Sequence, residues 1–147
     1  KMELPYFLTW SAQQNPVSFE LDHTDEFHFV TAEGKKILDL TSVSFQTILG
    51  LKPKRLLSAI QKQFNNYPVC STKALNNLKS DNAKNLLNMI NLPGKIFYTV
   101  SGAESIENAL KMAREIKGSK TVLARKSSYH GATLGAMSIT GDWRNEA

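Results

Sequence analysis

Residues 95 to 147 constrain the fold of this chain more than any other part. Lys95 to Val100 is a short, largely apolar run of strand length. Ser101-Gly102 turns it directly into a segment with Ile106, Ala109, Leu110 and Ala113 at helical spacing. Gly118 ends that helix, Thr121 to Ala124 is a second apolar run, and Gly131 to Ile139 reads as a further helix. Strand, helix, strand, helix in this order predicts a parallel sheet with right-handed crossovers. These residues therefore read as the opening of a doubly wound α/β domain, cut short.

Upstream the patterning is different. Residues 1 to 18 are rich in aromatics and proline and read as an irregular arm. From Phe19 to Leu40, Phe27 and Phe29 alternate with polar neighbours, Glu33-Gly34 supplies a turn, and Ile37 to Leu40 follows, which predicts a β-hairpin or meander. Residues 41 to 52 read as a loop. Pro53 opens a helix to about Asn66, with Leu56, Leu57, Ile60 and Phe64 on one stripe. Ser80-Asp81 is the expected cap of a second helix, with Ala83, Leu86, Leu87 and Ile90 facing inward and Asn91 to Gly94 ending it.

Composition narrows the class. Hydrophobic residues make up 41% of the 147 and charged residues 21%, enough for a core and unlike a disordered chain. The net charge is +5, but the lysines and arginines are scattered and no run of them alternates with aromatics, so an ordinary solvated surface is preferred to nucleic-acid binding. Cys70 is the single cysteine; it builds neither a disulfide framework nor a metal cluster, which points to a reducing, cytoplasmic setting. No apolar run approaches the roughly 20 residues of a membrane span. The chain begins with Lys1 and closes on Gly141 to Ala147 without a clear stop signal, so a piece of something longer is expected.

Two stretches carry the chemistry. In Val100-Ser101-Gly102-Ala103-Glu104 a strand runs into a helix N-terminus. Gly102 lets backbone approach a ligand, and the free N–H groups of the first turn, with the helix dipole, favour an anion such as a phosphate. The competing reading is that Ser101 only caps the helix and Glu104 completes a capping box. The second stretch, Ser128-Tyr129-His130-Gly131-Ala132-Thr133, follows the next expected strand, where open parallel sheets bind ligands. Tyr129 is placed to stack on a flat ring and His130 to donate a hydrogen bond; alternatively, Tyr129 is a loop residue packed on the helix that follows. A dinucleotide fingerprint and a P-loop are absent, and His23, His28 and His130 show no metal-ligand spacing.

These stretches resemble a known family. Ser101-Gly102-Ala103-Glu104 with Glu107 and Ala109 resembles the S-G-[STA]-E-A-x-E-A segment of class III (ω-type) aminotransferases, which depend on pyridoxal 5'-phosphate. Tyr129-His130-Gly131-Ala132-Thr133-Leu134-Gly135-Ala136 is similar to the Y-H-G-x-T-x-x-A segment, and Thr140-Gly141-Asp142 to the T-G-D that often follows. Glu33-Gly34, Asp39, Gly50 and Pro53 resemble the family's lead-in. Leu51 stands where that lead-in has histidine, the Gly50 to Pro53 spacing is one residue short, and Ser105 and Asn108 depart from the usual residues.

The resemblance implies fold type I. Residues 1–52 would be the N-terminal arm and β-meander of the small domain, and residues 53–147 the start of the cofactor-binding large domain. It implies that Ser101, Gly102 and Ala103 hold the cofactor phosphate, that Tyr129 stacks on the pyridine ring and borders the substrate, and that His130 belongs to the pocket. Phe45 is the best match to an aromatic residue lining the substrate side. The implied reaction moves an amino group from an amine or amino acid to a 2-keto acid, in a homodimer. The catalytic residues are unknown within this chain. The Schiff-base lysine and the acid that pairs with the pyridine nitrogen are expected outside it, and Lys95, Lys111, Lys117, Lys120 and Lys126 read as surface lysines. The alternative is a degenerate, non-catalytic module that binds a phosphate ligand.

Overall fold

The alternation around Phe27 and Phe29 builds what it predicts. In the computed structural model, which describes residues 4–146, strands β1 (Leu21–Thr24), β2 (His28–Thr31) and β3 (Lys36–Leu38) form an antiparallel meander in sequence order. Leu21 lies opposite Thr31, and His28 opposite Leu38. The β2–β3 turn uses Gly34 at φ +80°, where its N–H donates to the Thr31 carbonyl. The Asp25 carboxylate holds the β1–β2 turn, accepting from the N–H groups of Phe27 and His28 and from the His28 ring. The Phe27 N–H and the His28 ring hold this carboxyl far below the usual range. Val30 and Thr31 are buried, and the rings of Phe19 and Phe29 meet at 5.8 Å.

Residues 41 to 52 were expected as a plain loop; the structure gives them a left-handed turn. The short segment α1 (Ser42–Phe45) has φ values of 51°, 46°, 56° and 70° at four consecutive non-glycine residues. Left-handed winding costs an L-residue roughly 1–2 kcal/mol, and a branched residue such as Val43 tolerates it poorly. Asp39 offsets the strain. Its carboxylate accepts from the N–H groups of Thr41 and Val43 and from the hydroxyls of Thr41 and Thr47. Burial pushes the Asp39 carboxyl up, and these hydrogen bonds outweigh it and leave it lowered. Phe45 stands on this turn 87% exposed. Helix α2 (Lys54–Asn66) follows where Pro53 predicts it, its apolar stripe about half exposed.

The chain divides into two compact units that part between Ala74 and Leu75. The second opens with α3 (Asn77–Ile90), capped by Asn76, whose side chain accepts from the Lys79 N–H. Ser80-Asp81 is therefore not the cap: Asn76 offers a capping carbonyl earlier, and Ser80 lies inside the helix, its hydroxyl bonded back to the Asn76 carbonyl. Helix α4 (Gly102–Lys117) runs between the predicted ends, with Gly118 left-handed at φ 64°. Of its apolar residues at helical spacing, Leu110 is buried and Ile106 partly so, whereas Ala109 and Ala113 are exposed. Helix α5 (Leu134–Ser138) is shorter than the predicted 131 to 139, because Gly131 takes φ +136° and cannot be helical.

The expected parallel strands are not formed. Neither Lys95 to Val100 nor Thr121 to Ala124 belongs to a ladder among the described residues. A strand exists only with a neighbour to accept its hydrogen bonds. Here Val100 and Leu123 remain 97% and 96% exposed, with the apolar character of buried strands and nothing to pair with. A 3-10 turn (Trp143–Glu146) follows α5. The core of this unit is small: among the described residues, Leu110, Ala136 and Thr140 are its buried residues outside glycine.

Candidate functional site

Ser101 is the N-cap of the 16-residue helix α4, in extended backbone at φ −149° and ψ 159°. Its Oγ accepts from the Glu104 N–H at 3.1 Å. The Glu104 carboxylate reaches back to the N–H of Val100 at 3.0 Å, one residue earlier than a standard capping box. The cap reading is thus realised. It takes one of the three N–H groups in the first turn. Those of Gly102 and Ala103 meet no acceptor among the described residues. A Cβ built on Gly102 touches nothing within 4 Å, so there is room beside Gly102.

The Tyr129 stretch lies against this turn. A Cβ on Gly131 would stand 2.6 Å from the Ala103 Cβ, a contact only glycine permits, and φ +136° reinforces the requirement. The loop is closed by Thr140 and Gly141. The Ser127 N–H donates to the Gly141 carbonyl and the Gly141 N–H to the Ser128 carbonyl. The Thr140 hydroxyl accepts from the His130 N–H at 3.1 Å and donates to the Ala136 carbonyl at 3.0 Å. The Arg144 guanidinium lies over the Tyr129 ring at 4.7 Å and over the Trp143 ring at 4.8 Å, and pairs with Asp142. The His130 Nε2 is buried with no partner among the described residues.

One further residue ties this assembly together. Glu107, read only as a motif letter, sends its carboxylate from α4 across to the start of α5. Its Oε1 accepts from the N–H groups of Gly135 at 2.8 Å and Ala136 at 3.2 Å. The Thr133 hydroxyl, and then the Ala136 N–H, hold the Glu107 carboxyl below its usual range against the opposing effect of burial. The partner helix is 28 residues away in sequence, so no local spacing rule announces the contact.

The other expected residues fall as follows. Phe45 belongs to the first unit, on the left-handed turn. Lys95, Lys111, Lys117, Lys120 and Lys126 are all exposed. One surface concavity follows α4 from Glu107 to Lys120 and another the arm from Leu4 to Leu21; neither includes Ser101 or Tyr129. Among the described residues there is no group of three metal-binding side chains, and no helix is long and apolar enough to cross a membrane.

The family profile described as Aminotransferase class-III matches residues 9–146. Gamma aminobutyrate transaminase 2 of Solanum lycopersicum is 29% identical over 150 residues, covering 95% of this chain and 32% of that protein. Acetylornithine aminotransferase of Bacillus anthracis is 38% identical over 108 residues, covering 74% of this chain and 28% of that protein. The solved taurine:2-oxoglutarate aminotransferase from Bifidobacterium kashiwanohense, in complex with PLP and glutamate, superposes with a TM-score of 0.87 at 32% identity. That match covers 95% of this chain and 32% of the other, so the expected fold type I architecture holds. The chain spans about a third of the length of the curated relatives it matches. With a family profile over almost its whole length and a relative 38% identical over 74% of it, the chain belongs to the class-III aminotransferases.

Proposed function

We propose that the complete protein is a pyridoxal 5'-phosphate-dependent aminotransferase, moving an amino group from an amine or amino acid to a 2-keto acid. The observation that carries this reading is the N-terminus of α4. Two adjacent N–H groups stand open there, an added Cβ at Gly102 would meet only space, and the Tyr129 loop abuts through Gly131 and Ala103. These residues fit a phosphorylated ring. Ser101, Gly102 and Ala103 would hold the phosphate as donors at the positive end of a helix. Tyr129 would offer its ring to the cofactor ring, and the buried His130 Nε2 would supply a further polar contact. Pyridoxal phosphate supplies an aldehyde that captures amines and a ring that withdraws electrons.

The same reading assigns residues 1–52 to the small-domain part and 53–147 to the start of the cofactor-binding domain. It makes Phe45 a wall of the substrate side, which its exposed place on a strained turn supports. A homodimer is supported by the exposed apolar arm, where Phe7 and Val17 are 85% and 100% accessible. The single Cys70 supports a reducing compartment. The test uses the full-length protein with added pyridoxal phosphate, an amino donor and a keto acid. A visible band from bound cofactor together with keto product is expected. Cofactor binding without turnover would favour a non-catalytic binding module, and absence of binding would refute both.

A further inference from the structure

We propose that Glu107 is a positioning residue for the cofactor, holding the Tyr129–Gly131 loop in register with the phosphate turn. The inference rests on the reading of that turn as the cofactor site. Helix α4 carries both the open N–H groups at Gly102 and Ala103 and, one turn further on, Glu107. The Glu107 carboxylate caps α5 from outside, since Thr133 makes no side-chain bond to its own helix. The approach is close by construction: a Cβ on Gly135 would lie 2.3 Å from the Glu107 Oε2. Contacts run from α5 back to the loop by two routes. An added Gly131 Cβ would stand 3.0 Å from the Ala136 Cβ, and the Ala136 carbonyl holds the Thr140 hydroxyl that accepts the His130 N–H. Gly131 closes the circuit on Ala103.

The geometry separates two functions of one helix. The phosphate donors depend on Ser101 and the α4 terminus and do not need Glu107. The placement of Tyr129 and His130 does need it, through reach more than through charge. Glutamine keeps the reach. Its amide oxygen accepts from Gly135 and Ala136, and the Thr133 hydroxyl turns to accept from its amide nitrogen. Aspartate keeps the charge but is one methylene too short.

The experiment compares Glu107→Gln and Glu107→Asp in the full-length protein, reading the dissociation constants of pyridoxal phosphate and of inorganic phosphate, and the circular dichroism of the cofactor band. For Glu107→Asp we expect pyridoxal phosphate to bind about ten-fold more weakly, as a small misplacement of a positioned group costs. Its cofactor dichroism should fall while inorganic phosphate binds within about two-fold of wild type. Glu107→Gln should match wild type on all three. The inference is overturned if the aspartate variant behaves as wild type, if the glutamine variant is the impaired one, or if phosphate affinity falls in step with cofactor affinity. A wild-type protein that fails to bind pyridoxal phosphate overturns the underlying function instead.

Discussion

Gly131→Ala is the sharpest probe of how the two motifs meet. The residue is buried at φ +136°, where an alanine is strained by roughly 1–2 kcal/mol. Its new methyl would stand 2.6 Å from the Ala103 Cβ, 2.8 Å from the Ala103 Cα and 3.0 Å from the Ala136 Cβ. Two of these are side-chain methyls fixed on helices and one is backbone, so none swings aside as the end of a long side chain would. Overpacking of this kind costs about 1–3 kcal/mol. Together the two effects destabilise the fold by about 2–5 kcal/mol. Gly102→Ala is the internal control. Its added methyl meets nothing within 4 Å at the first position of α4, so the fold should be unchanged or slightly more stable. Denaturant unfolding of the cofactor-free full-length protein measures both. Equal midpoints for Gly131→Ala and wild type would show that the Tyr129 loop does not pack on the start of α4, and the geometry of the candidate site would have to be abandoned.

Four further outcomes are expected. Ser101→Ala removes the cap to the Glu104 N–H and should lower stability by about 1 kcal/mol, with weaker phosphate binding; Ser101→Thr should restore both. Glu107 and Asp39 are held below ordinary values of 4.5 and 3.8, so their stabilisation is complete above those values and is lost as pH falls through the depressed ones. Unfolding midpoints should therefore be level near neutrality and drop in acid, and Glu107→Gln should flatten part of the drop. Asp39→Asn should loosen the left-handed turn, read as faster chymotryptic cleavage after the exposed Phe45. Tyr129→Ala should weaken cofactor binding about ten-fold with little change in melting, while Tyr129→Phe keeps the ring face and the affinity.

What could be read from sequence was what depends on near neighbours. The cap at Ser101, the left-handed stop at Gly118, the turn at Gly34 and the start of α2 after Pro53 each involve residues within a few positions, and each is found. The meander was readable for the same reason: Phe27, Phe29 and a glycine turn fix its register locally. What failed depends on distant groups. Lys95 to Val100 has strand composition, but a ladder needs a second strand, and none is paired with it among the described residues. The left-handed turn at Ser42 to Phe45 contains no glycine to mark it and exists because Asp39 holds it. Glu107 was visible only as a letter in a motif. Its partners at Gly135 and Ala136 become neighbours only after α4 and α5 have packed.

Capping and phosphate binding looked like rival explanations of Ser101, and the geometry removes the rivalry. A serine hydroxyl has two lone pairs and one proton. The Glu104 N–H takes a lone pair, which leaves the proton to donate. The Glu104 carboxylate, the acid in the first turn of the helix, is engaged by the Val100 N–H. What remains is a set of three adjacent donors: the Ser101 hydroxyl and the N–H groups of Gly102 and Ala103. A terminal phosphate presents three oxygens that accept strongly. By satisfying the third amide the cap fixes the helix start, and it leaves unpaired the donors that the proposed phosphate would use. A helix end that needed its serine proton for capping would have lost one of the three donors, and one without the cap would fray.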